Sequence, residues 1–186
     1  MKKNQRGVTL IALVVTIIVL LILAATAIAT LTGEDGIITN AQKAQAANTE
    51  GEVIDRMNLA YNAVYSQSMI KMSTENGYQP SAKYADLAKA VADELGITKT
   101  TDQKVDNGNY TKEIGGGTWT ITSTAATADP GATPATIKIE YRDAKFALDF
   151  SGDKTYPENN QYPKLSCTIT LDTNKVSFTA PVRSVK

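Results

Sequence analysis

GVTLIALVVTIIVLLILAATAIATL, residues 7–31, runs without a single charge, between Lys2, Lys3 and Arg6 on one side and Glu34 and Asp35 on the other. A helix of about 24 residues rises about 36 Å, enough to cross a hydrocarbon core of about 30 Å. The polar groups inside it are the hydroxyls of Thr9, Thr16, Thr26 and Thr30, which can bond back to carbonyls one turn earlier. The run exceeds the roughly 7–15 apolar residues of a secretory signal and has no small-residue cleavage site at its far end. It is therefore predicted to stay with the protein as a membrane span. The basic residues that precede it place the N-terminus in the cytoplasm and everything after residue 32 outside. No other stretch of this kind follows, which predicts a single-pass protein.

The entry into the run is specific. A short basic leader ends in Gly7, and Val8-Thr9-Leu10-Ile11 begins the apolar segment at once. Here the chain resembles the type IV pilin and pseudopilin family, whose precursors carry such a leader before a helix of this composition. The resemblance covers about the first quarter of the chain closely and the rest as architecture. It implies cleavage by a prepilin peptidase between Gly7 and Val8, methylation of Val8, and handling by a pilus assembly machinery. One position departs from the pattern. Family members usually have a glutamate, thought to pair with a neighbouring subunit's terminal amine, where this chain has Ala12. A carboxylate in lipid is costly and is kept for a purpose, so Ala12 removes both the cost and that register signal. Some minor or tip subunits of the family also lack it.

The chain has 186 residues, 19 basic and 19 acidic, so the part beyond the membrane is one modest domain. Losing Lys2, Lys3 and Arg6 with the leader takes the side-chain charge from 0 to −3. A mildly acidic exported domain has no general electrostatic reason to bind nucleic acid. Cys167 is the one cysteine, so no intramolecular disulfide forms, and the stapled C-terminal loop of many Gram-negative relatives is absent. It falls in an apolar alternation, which predicts a buried, inert thiol rather than an intermolecular bridge.

Residues 32–36, Thr-Gly-Glu-Asp-Gly, interrupt the helical pattern. Glycine costs roughly 1 kcal/mol relative to alanine in a helix, so Gly33 and Gly36 predict a hinge-like break. Thr39-Asn40-Ala41-Gln42 then fits a capping box at a new helix start. Ala41, Ala44, Ile54, Met57, Tyr61 and Val64 make one apolar stripe in a helix running to about Met72, with Gly51 as a weak point and Asn76-Gly77 as the stop. A short helix follows, opened by Pro80-Ser81 and ended by Gly96, with Tyr84, Leu87, Ala88, Val91 and Leu95 as its stripe. Residues 98–117 are polar and glycine-rich and predict mostly loop.

Beyond Gly117 the period changes to two. Trp119 and Ile121 alternate with threonines, and Ile137, Ile139 and Tyr141 with Lys138, Glu140 and Arg142. Phe146, Leu148 and Phe150 follow, then Cys167, Ile169 and Leu171, then Val176 and Phe178. Such alternation argues for antiparallel strands with one buried face. Asp143-Ala144 and Asp172-Thr173-Asn174 suit hairpin turns. Residues 123–136 and 151–164, punctuated by proline, read as exposed connections, a variable or glycan-bearing outer surface being the functional alternative to plain solvated loops. The expected fold is α+β and pilin-like: a long N-terminal helix, half transmembrane and half amphipathic, packed on a C-terminal antiparallel sheet of four or five strands. The expected divisions are a leader at 1–7, a transmembrane and filament-core helix at 8–31, the break at 32–36, and an extracellular head at 37–186.

Catalysis is argued against by the chemistry on offer. The chain has no histidine, which removes the commonest general base, the Ser-His and Cys-His pairs, and imidazole metal ligands. Gly115-Gly116-Gly117 precedes a strand, whereas phosphate loops open a helix, so it is turn material. Asp149 and Asp153, with Asp172, do not have the spacing of an EF-hand loop and read as solvated carboxylates rather than a calcium site. Aromatic residues are 6% of the chain and scattered, which gives no platform for single-stranded DNA. No enzyme, cofactor or metal is therefore expected. The resemblance implies a structural subunit of a type IV pilus-like extracellular filament, surrounded by lipid before assembly and by copies of itself afterwards. Leu10, Ala12, Leu13, Ile17, Leu20, Ala24 and Ala25 are its expected core contacts, with Gly7 and Val8 for processing. The alternatives are a pseudopilin of a DNA-uptake or secretion system, and a non-polymerising anchored surface protein.

Overall fold

The computed structural model describes residues 5–33, 36–97, 109–127, 133–147 and 164–184. Helix α1 is Gln5–Thr32, α2 is Ile37–Thr74 and α3 is Tyr84–Glu94, the last entered through a 3₁₀ turn at Pro80–Lys83. The strands are β1 (Tyr110–Ile114), β2 (Gly117–Thr124), β3 (Ala135–Asp143), β4 (Lys164–Leu171) and β5 (Val176–Ser184). They form one antiparallel meander in sequence order. The chain divides into two compact units, Met1–Gln45 and Ala46–Lys186, with the boundary inside α2.

In the second unit the two periodicities meet. Strand alternation puts Trp119, Ile121, Ile137, Ile139, Cys167 and Ile169 on one face of the sheet, all buried. Val53, Met57, Ala60 and Val64 of α2 and Leu87, Ala88, Val91 and Ala92 of α3 share the core with them. The fold is α+β, a long helix and a short one on one face of the sheet. Tyr61 of α2 stacks on Phe178 of β5, with ring centroids 4.5 Å apart and planes at 11°. Cys167 is buried, and that burial pushes its thiol up to about 12, leaving almost no thiolate near neutral pH. Gly96 closes α3 with a left-handed φ of 74°. Ile97 N–H donates to Ala92 O (2.8 Å) and Gly96 N–H to Asp93 O (3.1 Å), the two bonds of a Schellman motif.

Several local expectations are corrected. Thr39 does not cap α2. Asn40 N–H donates to Gly36 O (2.9 Å), so Gly36 stands at the cap and Thr39 lies within the first turn. Ala41 and Ala44 are exposed, and the buried stripe begins at Ala46 and continues through Val53. The stretch at 98–117 contains β1, joined to β2 by Gly115 and Gly116, both left-handed (φ 68° and 89°), as a two-residue hairpin of this kind requires. Residues 98–108 lie outside the described residues.

Asp143-Ala144 is not a hairpin turn. Asp143 ends β3, and its carboxylate accepts the Lys145 N–H (2.8 Å), opening a 3₁₀ turn at Ala144–Ala147 that holds Phe146 buried. β3 pairs with β4 directly. Leu148 and Phe150 are outside the described residues, as are the prolines of the 151–164 connection, of which Lys164 belongs to β4. The 123–136 connection gives up both its ends to strands, Ser123 and Thr124 to β2 and Ala135 and Thr136 to β3. Thr127 N–H donates to Thr133 O (3.1 Å) and Thr133 N–H to Thr127 Oγ1 (3.0 Å), which ties the two sides of that connection together.

Gly117 shows how closely the sheet is packed, because a Cβ there would overlap the phenol end of the Tyr141 side chain. Deletion of residues 1–36 is expected to leave a soluble, folded head whose circular dichroism retains helix and sheet. In that head Val64→Asp or Ile139→Asp should abolish the cooperative thermal transition. Each would bury an unpaired carboxylate at a cost of several kcal/mol, against a total stability of about 5–15 kcal/mol. Melts matching the parent would show that the helix and sheet do not share a core.

Candidate processing and assembly segment

α1 contains both of the segments that the sequence singles out. Gly7 and Val8 lie in its first turns, in helical backbone. From Leu10 onward the side chains are described, and all of those on α1 are exposed, including fourteen large aliphatic ones from Leu10 to Leu31. It is long and apolar enough to cross a membrane. Leu10, Leu13, Ile17, Leu20 and Ala24 recur at spacings of three and four, so they line one face. Ala12 and Ala25 fall off that face.

The hydroxyls inside the helix are satisfied locally. Thr16 Oγ1 donates to Leu13 O (2.8 Å), Thr26 to Leu23 O (3.0 Å), Thr30 to Ala27 O (2.9 Å) and Thr32 to Ile28 O (2.9 Å). Each bond removes a donor that would otherwise be costly in hydrocarbon. The side chain of Thr9 lies outside the described residues.

The end of α1 is defined by close approach. Gly33 N–H donates to Ala29 O (3.0 Å), and Gly36 N–H to Gly33 O (2.7 Å). A Cβ on Gly36 would lie 2.5 Å from the carbonyl oxygen of Leu31 and 2.8 Å from that of Gly33, so only glycine fits there unstrained. Thr39 Oγ1 donates to the same Gly33 carbonyl (3.0 Å) and straps the start of α2 to the end of α1. That contact was missed from sequence because the spacing from Thr39 to Gln42 suits a cap equally well. Among the described residues no group of three His, Cys, Asp or Glu side chains could hold a metal ion. Asp149 and Asp153 are not among those residues.

The prokaryotic N-terminal methylation motif matches residues 2–28. The match takes in the basic leader, the Gly7–Val8 junction and most of α1. The chain thus carries a prepilin-type signal, as precursors of type IV pilins and pseudopilins do, and a signal of this type is processed by a prepilin peptidase. No curated protein and no solved structure matches the chain.

The exposed aliphatic surface sets a quantitative expectation for the membrane. Fourteen Leu, Ile and Val side chains contribute roughly −4 to −8 kcal/mol to insertion, and one aspartate near the centre costs about 2.5–3.5 kcal/mol. Leu20→Asp alone should therefore still be recovered in the carbonate-resistant membrane fraction. Ile17→Asp combined with Leu20→Asp should fall largely into the soluble fraction. Full retention of the double variant would mean that α1 is not what holds the chain in the bilayer.

Proposed function

We propose that this chain is a structural, non-enzymatic subunit of a type IV pilus-like extracellular filament, which acts by self-association. The observation that carries the reading is the prepilin-type signal joined without a break to an uncharged helix exposed on all sides. The precursor sits in the membrane with Lys2, Lys3 and Arg6 on the cytoplasmic side and the head outside. Cleavage after Gly7 removes the charged leader that resists extraction, and an assembly machinery lifts the subunit out.

Once α1 leaves lipid, its aliphatic surface is covered by other copies or by nothing. Covering it is worth on the order of tens of kcal/mol, so bundling follows from the loss of lipid. Ala24, Ala25, Ala27 and Ala29 allow close approach of neighbouring backbones. The break at Gly33 and Gly36 lets each head adopt its own angle on the fibre. Ala12 is the observation that favours a second reading, a minor subunit or pseudopilin of a short fibre, because no carboxylate is available there to pair with a neighbour's amine.

Mass spectrometry of sheared surface material tests the processing step. The expected N-terminus is Val8, carrying a methyl group, and Gly7→Val should leave the precursor uncut in the membrane fraction. Intact Met1 on surface-exposed wild-type protein would overturn the reading.

Packing in the fibre is tested separately. Ala25→Leu adds bulk where backbones approach and should reduce sheared-filament yield several-fold, with the membrane-fraction protein unchanged. Ala12→Glu should assemble, since family geometry puts that carboxylate beside a neighbour's amine. If Ala25→Leu assembles normally while Ala12→Glu is lost from filaments, the fibre core is packed in some other way.

A further inference from the structure

A cavity of about 100 Å³ opens in the second unit between α2, the β1–β2 turn and the 3₁₀ turn after β3. Trp119 and Tyr141 line it from neighbouring strands, with ring centroids 4.8 Å apart and planes at 54°. Both rings are buried in the core. Thr49, Glu52 and Arg56 of α2 and Lys145 supply the polar side chains of the lining. Nothing in the filament reading uses these residues.

The size narrows the choice of occupant. Sites for whole drug-sized molecules run to about 300–1,000 Å³, so this cavity suits one small functional group. The charges narrow it further. Arg56 Nη2 donates to Glu52 Oε1 at 2.8 Å, but the two side chains are 43% and 59% exposed. A pair of that kind on a helix surface is worth only about 0.3–0.5 kcal/mol, so a second carboxylate shares or displaces Glu52 at little cost. Lys145 Nζ is 3.8 Å from Asp143 Oδ2, at the edge of ion-pair range. Asp143 is buried and already engaged: Oδ2 accepts the Tyr141 hydroxyl (2.9 Å) and Oδ1 the Lys145 N–H.

Two cations thus line the cavity, each held by a weak partner, and aromatic faces can take the apolar atoms behind an anionic group. A guanidinium fork matches the two oxygens of a carboxylate. We propose that this cavity binds a carboxylate: Arg56 and Lys145 donate to its oxygens, and Trp119 and Tyr141 hold the carbon that bears it. The group can belong to a free small acid or to an acidic residue of a peptide. The proposal goes beyond filament assembly and stands whether or not the chain polymerises.

Trp119 is the chain's one tryptophan, so its emission reports on this site directly. The full-length chain in detergent is titrated at constant ionic strength with sodium acetate. A second titration uses an end-capped tripeptide with a central glutamate, against its glutamine analogue. A saturable change in emission is expected from acetate, from the glutamate peptide, or from both, and none from the glutamine analogue. Response to acetate assigns the site to small acids, and response to the peptide alone assigns it to protein-borne carboxylates. Arg56→Gln and Lys145→Gln should each weaken the response at least tenfold, while Glu52→Gln should preserve or tighten it. Arg56 and its partner Glu52 are both well exposed, so Arg56→Gln should melt with the parent. Lys145→Gln removes the cation beside the buried Asp143, so its titration is run well below its own melting temperature. No response up to tens of millimolar overturns the proposal. So does an equal response to sodium chloride, or an undiminished one in the Arg56 and Lys145 variants.

Discussion

Fourteen large aliphatic side chains on α1 are exposed, and that surface has no stable resting place in water. Burial of one such side chain is worth about 1.5–3 kcal/mol, whereas a whole domain is stable by only about 5–15 kcal/mol. The free energy of covering α1 is thus larger than the net folding stability of a typical domain. Membrane lipid is one cover that suits it. The self-bonded threonines fit that cover, since Thr16, Thr26 and Thr30 bring hydroxyls into the helix without leaving any donor unpaired. In the filament we propose, the cover must be as apolar as lipid, and a second copy of α1 meets that condition.

The head answers a different constraint, that a sheet with one apolar face needs a cover. Val53, Met57, Ala60 and Val64 provide part of it, and α3, Leu95, Ile97 and Phe146 add to it. The cover is tight at Gly117, where the ring of Tyr141 occupies the place of a side chain. The same tyrosine is held by Asp143. Burial first, and then its bond to that carboxylate, raise the pKa of its hydroxyl, so it remains a neutral donor across the physiological range. Asp143 in turn opens the 3₁₀ turn that buries Phe146. One buried carboxylate thus links the end of β3, the position of Phe146 and the orientation of the Tyr141 ring.

Much of this was legible in the sequence, and the misreadings have physical causes. Strands β2 to β5 announce themselves because the outward positions carry Thr, Ser and charge while the inward ones carry apolar residues such as Trp119, Ile121, Ile139, Tyr141, Cys167, Ile169 and Val176. β1 is hidden because Tyr110 and Ile114 are its only apolar members, and its neighbours along the chain are polar or glycine. Phe146 deceived for the opposite reason. Its spacing to Leu148 and Phe150 mimics a strand, but the acceptor that opens a 3₁₀ turn sits at Asp143. The start of α2 was misplaced because glycine and threonine can both stand at a cap, and only the close approach of Gly36 to Leu31 decides between them. Arg56 and Lys145 could not be paired from sequence, because they are 89 positions apart and it is the packing of α2 on the sheet that places both beside the same cavity.

The beginning of α2 raises a further question of what makes it helical. Burial along α2 starts at Ala46, whereas the helix starts at Ile37, so residues 37–45 form helix with no core of their own. Isolated helices shorter than about 12–15 residues are marginal in water because the first turn is costly to nucleate. Here that cost is met by the packed turns from Val53 onward, and each residue added towards the N-terminus only has to propagate. Ala41, Gln42, Lys43, Ala44 and Gln45 propagate well. Propagation stops at Gly36, where the backbone turns too tightly for any other residue and Thr39 bonds back across the turn to Gly33. The break between the two helices is thus fixed by two glycines and one hydroxyl rather than by the edge of the core. Moving it would take a change at Gly33, Gly36 or Thr39, and repacking the head would leave it where it is.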